Sequence, residues 1–271
     1  MPDSSAFRPH IRIDRKQIAL PSEHGSWGFL FEPIVASLAI GFSLPGAMIA
    51  IMTIGGFLAR QPLKVLIIDR TGQRNAERAR VAVGFITVFA AIALIGFAGA
   101  ALTGGLLPFV PFFFVLPMAC VQIYFDGSRN SRGLLPEIFG AVTISSSAAA
   151  ILLAAGFGWP PAVALWLVMI SRLIPSIIYV RNRLKLEKGK SFSLTAIIVT
   201  NAAAVIAAGV LAYNGLASVL VLAMMILLLV RAVTGVSPNR KKLKAMKIGI
   251  LEVVYGTLTV AAIIAGYYAG I

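Results

Sequence analysis

Charge is scarce in this sequence of 271 residues. Charged side chains make up 13% of it, and the chain has 10 acidic residues against 24 basic ones. Soluble domains are typically about a quarter charged and nearer half apolar. Here 59% of the residues are hydrophobic and the mean hydropathy is +0.90. This composition excludes an ordinary soluble domain and favours a protein that crosses a membrane several times.

Cysteine and histidine are almost missing. Cys120 is the single cysteine, so an intrachain disulfide is excluded. The two histidines, His10 and His24, are far apart in any helical arrangement, which excludes a zinc site built from cysteine and histidine. The chain also has neither a phosphate-cradling Gly-x-x-x-x-Gly-Lys run nor a dinucleotide fingerprint. The sequence therefore contains no common metal or nucleotide motif.

Long apolar runs are what the sequence has in abundance. Short uncharged turns such as Leu44-Pro45-Gly46, Gly104-Gly105 and Asn214-Gly215 separate several of them. We predict nine transmembrane helices and no strands. Their predicted spans are 25–42, 45–61, 81–102, 106–124, 135–156, 160–180, 193–213, 216–234 and 248–270.

The basic residues indicate the orientation of these helices. All 24 lie in the N-terminal arm, in the four longer connections, or at helix ends that border them, whereas the four short connections carry no charge. Positive loops stay on the cytoplasmic side of a membrane. We therefore predict a protein of the inner (cytoplasmic) membrane with its N-terminus inside and Ile271 outside. The one-sided charge favours anionic lipid headgroups, or a phosphorylated substrate, as a partner, and not nucleic acid.

The acidic residues point to an internal repeat. Glu32, Glu137 and Glu252 each lie early in a predicted helix, 105 and 115 residues apart, and Arg60 and Arg172 lie late in two others, 112 residues apart. Helices one to four and five to eight thus form two predicted copies of a parallel four-helix unit, and the ninth begins a third. The predicted domains are an arm over 1–24, interfacial in one interpretation, and one integral membrane domain over 25–271. Its repeat units cover about 25–124 and 135–234, followed by the ninth helix.

These five charged residues are the main candidate site. A charge placed inside the membrane is costly unless it is paired or faces water. We expect Glu32, Arg60, Glu137, Arg172 and Glu252 to line a polar cavity that opens to the cytoplasm, with Glu32 beside Arg60 or Arg172. The alternative is that they only form ion pairs between helices.

Polar residues near the predicted helix ends extend this site. The segment after the second helix contains Lys64 and Asp69, and the segment after the sixth contains Arg181 and Arg183. We expect these two segments to form a basic rim around the cavity mouth. Such a rim needs no function, but arginines also suit a phosphate or diphosphate. His24 at the start of the first helix is either part of a helix start or a titratable group at the cavity mouth.

Four stretches of the sequence carry a family resemblance: "PSEHGSWGFLFEP", "FLARQPL", "LLPEIFGAV" and "SRLIPSIIYVRNRLKLEKG". They resemble the YwiC-like family of bacterial membrane proteins. Nine helices, the parallel repeat and the polar segments after helices two and six resemble the UbiA superfamily of intramembrane prenyltransferases. The second resemblance implies an isoprenyl diphosphate held through Mg²⁺ by two Asp-rich motifs. At those places this chain has only Asp69 in the first and no aspartate in the second, so Mg²⁺ is not supported and no catalytic residue is assigned.

Three functions follow from these observations. The first is a UbiA-like protein that binds or transfers an isoprenoid or lipid phosphate, with arginines meeting the phosphate. The second is a carrier for a small anion, and the third is an accessory or assembly protein without enzymatic activity. A membrane lipid is a partner in each.

Overall fold

A computed structural model describes residues 14–21, 24–71, 76–128 and 133–270. These residues form α-helices and one short 3₁₀ turn, Leu107–Phe109, and no strand. The ten helices are α1 (Arg15–Ala19), α2 (His24–Ile40), α3 (Leu44–Thr71), α4 (Ala76–Gly104), α5 (Val110–Gly127), α6 (Leu134–Ala154), α7 (Trp159–Glu187), α8 (Leu194–Tyr213), α9 (Val219–Val236) and α10 (Ala245–Ala269).

Each predicted span corresponds to one helix from α2 to α10, but several predicted ends are wrong. The segments after the second and sixth spans are helical, since α3 runs to Thr71 and α7 to Glu187. Lys64, Asp69 and Arg183 therefore lie on helices and not in loops. The physical reason is that Leu, Lys, Arg and Glu are good helix formers, so a helix continues after its apolar residues end.

Eight helical segments in the described part of the chain are long and apolar enough to cross a membrane, namely those of α3 to α10. The protein is thus an all-α, multi-pass membrane protein. The apolar helix Gly25–Ile40 within α2 is shorter. At about 1.5 Å per residue it spans about 24 Å, less than the hydrocarbon core of a typical bilayer at about 30 Å.

Helix α2 nevertheless packs closely against α6 and α10, and only Phe31 and Val35 among its large apolar side chains are exposed. Its residues Leu30, Ile34 and Ala36 are buried. On the periphery, α3 packs tightly on α4, where a side chain at Gly55 would collide with the backbone of Ala93. Small residues at such a crossing let two membrane helices approach closely.

The neighbours of α3 and α7 follow the same order along the chain. Helix α3 packs on α4, α5 and α6, and α7 packs on α8, α9 and α10, but α7 also packs extensively on α6 whereas the corresponding helices α2 and α3 touch little. The short helix α1, which belongs to the predicted arm, packs on α3 and α4 through Ile18. The charged residues of interest lie where α2, α7, α9 and α10 meet.

Candidate functional site

Two carboxylates converge on one buried arginine inside the bundle. The Arg172 side chain is 1% exposed, and its Nε lies 3.6 Å from Oε2 of Glu32 on α2. Its Nη1 lies 3.5 Å from Oε2 of Glu252 on α10, and its Nη2 donates a hydrogen bond of 3.0 Å to the backbone carbonyl of Glu252. Nη1 also donates to the hydroxyl of Ser176, one turn along α7. Arg172 therefore connects three helices.

A second arginine balances the charge of this cluster. Arg231 on α9 donates through Nη1 to Oε1 of Glu252. Its guanidinium lies between two aromatic rings, 4.2 Å from the ring centre of Tyr179 and 4.8 Å from that of Tyr255. Stacking on an aromatic face stabilises a desolvated cation. Two guanidiniums and two carboxylates thus form a neutral group, which we call the charge cluster: Glu32, Arg172, Arg231 and Glu252.

A glycine on α10 makes room for the cluster. A side chain at Gly256 would overlap Oε1 of Glu32 and lie 3.3 Å from Nη2 of Arg172. Glu32 can reach Arg172 from α2 because α10 has no side chain at this point. Gly256 is therefore part of the geometry of the cluster, although it carries no functional group.

The charge cluster lies on a polar stripe that follows one face of α7. Arg172, Ser176, Tyr179, Arg183 and Glu187 are spaced by three or four residues, which puts them on one side of a helix. Four of them are buried, and the side chain of Glu187 is 11% exposed. The stripe runs from the middle of α7 to its charged end, a length of about 22 Å at 1.5 Å per residue.

The same face of α7 lines a cavity at the opposite end of the helix. The cavity has a volume of about 390 Å³. Pro161, Leu165 and Val168 contribute to its wall, and Val168 lies one turn before Arg172. Most of the other lining residues are apolar or glycine: Ile40, Leu152, Phe157, Ala212, Gly215, Leu216, Ala217, Ser218, Val219, Val221, Ile263, Gly266, Tyr267 and Gly270.

This position differs from the expected one. The predicted cavity was polar and bordered the charged connections, whereas this cavity lies beside the short uncharged connections between α6 and α7 and between α8 and α9. None of the predicted charged residues lines it. The polar cavity expected at the charged end therefore stays a prediction.

The five residues expected to share one cavity are distributed over separate ion pairs. Glu32, Arg172 and Glu252 come together as described. Arg60 instead makes two hydrogen bonds, of 2.7 and 3.0 Å, to the buried carboxylate of Asp126 on α5. The expectation that either arginine could neighbour Glu32 is resolved in favour of Arg172, because the guanidinium of Arg60 is bound to Asp126.

Glu137 and the residues of the expected basic rim have other partners. Arg181 donates to Glu137 at 2.5 Å, and both side chains are about one-third exposed. Asp69 lies 3.5 Å from Arg78, an ion pair between α3 and α4. Lys64 is half-buried and also has an interaction partner.

Two other predicted site residues contribute differently. Arg183 is buried near Glu187 and belongs to the polar stripe of α7. The side chain of His24 lies outside the described residues, so its predicted role stays a prediction.

Sequence reasoning missed four residues at or near these pairs. They are Asp126, Tyr179, Arg231 and Tyr255. Arg231 lies three residues inside the predicted end of its helix, and the same depth argument that selected Arg172 applies to it. Asp126 lies two residues beyond a predicted end and was treated as part of a connection, so no signal distinguished it. Nor did any signal distinguish the tyrosines from other aromatic residues of the bundle.

The carboxylates do not fit a two-metal Mg²⁺ site. Asp69 and Asp126 are each paired with an arginine on or beside α3. Within the described ranges there is no group of three or more His, Cys, Asp or Glu side chains that could hold a metal ion. Several oxygen ligands would have to converge on each ion. The part of the chain that the structure describes therefore does not reproduce the Asp-rich metal site of the UbiA superfamily.

The long apolar helices and the paired internal charges define a multi-pass helical membrane protein. Residues 20–152, from the end of the arm into α6, match the family model described as YwiC-like protein, which confirms the resemblance to this family over that part of the chain. Glu32, Arg60 and Glu137 lie within the matched region, whereas Arg172, Arg231 and Glu252 lie beyond it. No curated protein and no solved structure matches the chain.

Proposed function

We propose that this protein is a carrier for an organic anion with an apolar body, such as an isoprenoid or lipid phosphate. The observation that supports this proposal is the single face of α7, which lines an apolar cavity at one end and places Arg172 one turn further on. Ligand pockets in proteins typically have volumes of about 300–1,000 Å³ and a few polar groups in an apolar wall. An apolar body fits the cavity, and Arg172 supplies the charge that attracts the anion.

The ion pairs of the charge cluster close the path that leads from the cavity to the charged end of the bundle. Arg172 and Arg231 tie α7 and α9 to α2 and α10 through Glu32 and Glu252. An anion that reaches Arg172 competes with Glu32, whose ion pair of 3.6 Å lacks a hydrogen bond, since neither Oε2 of Glu32 nor Nε of Arg172 has a hydrogen-bond partner. When the ligand anion replaces the Glu32 carboxylate at Arg172, the ion pair between α2 and α7 is lost. The path from the cavity to the charged end of the bundle would then open.

The orientation is part of this proposal. We propose nine crossings, with α2 as the short first one, the N-terminus in the cytoplasm, and the cavity open to the outer side of the inner membrane. The support is that the cavity borders the uncharged connections, which the placement of positive charge puts outside.

Reporter fusions test this orientation. A fusion at Gly158 or Asn214 should show outside behaviour, because both positions adjoin the cavity end, and a fusion at Gly189 should show cytoplasmic behaviour. Alkaline phosphatase and a fluorescent protein are suitable opposite reporters. Cytoplasmic signals from both Gly158 and Asn214 would contradict the orientation.

Binding of geranyl phosphate to the purified protein tests the carrier proposal. We expect this probe to raise the thermal unfolding midpoint, because a ligand that binds only the folded state stabilises it by mass action. Geraniol, which has the same chain without the charge, should stabilise much less. Ala212→Trp, which fills the cavity from α8, should abolish the effect, whereas Ala203→Trp on an exposed part of α8 should not.

Exchange of labelled geranyl phosphate across proteoliposomes then tests transport. The carrier proposal fails if Ala212→Trp and Ala203→Trp behave alike, or if the probe binds without crossing. If geraniol stabilises the protein as much as geranyl phosphate does, then the charge of the ligand does not contribute to binding, and Arg172 does not have the proposed role.

A UbiA-like transferase is the second candidate, because α3 and α7 have corresponding neighbours and each carries an arginine in an ion pair. This correspondence supports the proposed four-helix repeat. Incubation with geranyl diphosphate, Mg²⁺ and an aromatic acceptor separates the two functions. Release of diphosphate together with a prenylated product would favour the transferase, and no turnover favours the carrier.

A further inference from the structure

A second basic site lies at the charged end of α7, apart from the charge cluster. Arg183 on α7 and Arg240 in the connection between α9 and α10 share one carboxylate, that of Glu187. Nη2 of Arg183 lies 2.8 Å from Oε1 of Glu187, and Nε of Arg240 lies 3.6 Å from the same oxygen. Two guanidiniums thus face one carboxylate, which leaves an excess of one positive charge.

The guanidinium of Arg183 is incompletely bonded although it is buried. Its side chain is 2% exposed, and Nη2 donates to the backbone carbonyl of Lys241 at 2.6 Å. Its Nε and Nη1, and Nε of Arg240, have no hydrogen-bond partner among the described residues. Buried donors without partners are costly, and each such group in a folded protein calls for an explanation.

An anion can reach these donors from the surface beside Arg240 and Glu187, whose side chains are partly exposed. They are 16% and 11% exposed, so the site opens on the Arg240 side. Exposed lysines surround it on both segments that carry the arginines and raise the local concentration of anions. They are Lys185, Lys188, Lys190, Lys241, Lys242, Lys244 and Lys247.

We propose that Arg183 and Arg240 form a phosphate-binding site, and that Glu187 occupies the place of the phosphate when the site is empty. A phosphate oxygen accepts from the unpartnered N–H groups of both arginines while the Glu187 side chain turns out to solvent. Arginine suits this role because its planar group makes paired hydrogen bonds to phosphate. The phosphate comes either from a lipid headgroup or from free inorganic phosphate.

Titration calorimetry and native mass spectrometry on the full chain in nanodiscs distinguish these sources. Inorganic phosphate is titrated into protein in phosphatidylcholine nanodiscs, at constant ionic strength. In a parallel arm, retention of phosphatidic acid is measured in nanodiscs that contain it. Binding in the first arm supports a free anion, and retention in the second supports a lipid headgroup. Absence of both overturns the proposal.

Variants give opposite expected effects at this site. Arg240→Gln should weaken binding at least tenfold, and Arg183→Gln should do the same provided that it folds. Glu187→Gln should tighten binding several-fold, because it removes the competing carboxylate. Arg80→Gln, at an exposed position on α4 outside this site, should change the affinity less than twofold. The proposal is overturned if Arg80→Gln weakens binding as much as Arg240→Gln, or if Glu187→Gln does not tighten it.

Discussion

Arg172→Gln is expected to lower the free energy of unfolding by about 3–5 kcal/mol, the usual cost of breaking a buried ion pair by removing one partner. Arg172 is the cation next to Glu32, and it also contacts Glu252. Glu252 keeps Arg231 after the change, so the cost comes mainly from Glu32, which is left charged at 7% exposure. Unfolding in mixed detergent micelles measures the loss.

A double-mutant cycle identifies the origin of this loss. Arg172→Gln combined with Glu32→Gln should recover part of it, because the second change removes the unpaired carboxylate. Contacting charges typically show a coupling of about 0.5–3 kcal/mol. Glu32→Gln alone should cost less than Arg172→Gln alone, since Arg172 keeps Glu252 and Ser176.

Arg80→Gln is the matched control for this cycle. It makes the same substitution at an exposed position on α4 and should leave stability nearly unchanged. Strict additivity of the two changes at Glu32 and Arg172 would show that the observed proximity contributes no interaction energy.

The presence of Glu32 inside an apolar helix has a physical explanation in these contacts. Helix α2 is short and packs against α6 and α10, and Glu32 lies on its buried side, although Phe31 and Val35 on the same helix are exposed. The carboxylate is neutralised by Arg172 on α7, and Arg231 compensates the second carboxylate. An ion pair of this kind does not by itself stabilise a fold more than apolar packing does. The carrier proposal assigns this pair a role beyond packing, because it uses the charge of Arg172.

Hydrophobicity was enough to predict where helices occur, but not where they end. An apolar run of about twenty residues has few alternatives in a membrane, and α4, α8 and α9 were predicted from this rule alone. The ends of α3 and α7 depend on residues outside the lipid, where helix propensity takes over. Pro62 and Pro175 lie inside these two helices and were no guide to their ends.

Several residues of the candidate site could be selected from the sequence, but the ion pairs that they form could not. A charge deep in an apolar run is unusual enough to select Glu32, Arg172 and Glu252 from the sequence. Which helix faces which is decided by tertiary packing, and neither the Asp126 partner of Arg60 nor the tyrosines around Arg231 could be inferred from spacing. The apolar cavity is formed by six helices and has no local sequence signature.

Gly256→Ala is expected to destabilise the protein by about 1–3 kcal/mol, the typical cost of adding a methyl group to a filled interior. The new Cβ would overlap the carboxylate of Glu32, so either α10 moves away or Glu32 withdraws from Arg172. Gly249→Ala on the same helix is the control, because nothing lies within 4 Å of its Cβ. There alanine should be neutral or stabilise by up to about 1 kcal/mol through its higher helix propensity.

Shortening Glu32 shows whether the clash is with its carboxylate. Glu32→Asp should recover part of the loss in the Gly256→Ala background, because the shorter side chain ends one methylene earlier and leaves space for the new methyl group. In the otherwise unchanged protein the same substitution should be destabilising, since it draws the carboxylate away from Arg172. The measurement is the unfolding free energy of the four proteins in this cycle. If Glu32→Asp costs the same with glycine or alanine at position 256, then α10 has moved to accommodate the methyl group, and the close approach of Glu32 to Gly256 does not determine the geometry of the charge cluster.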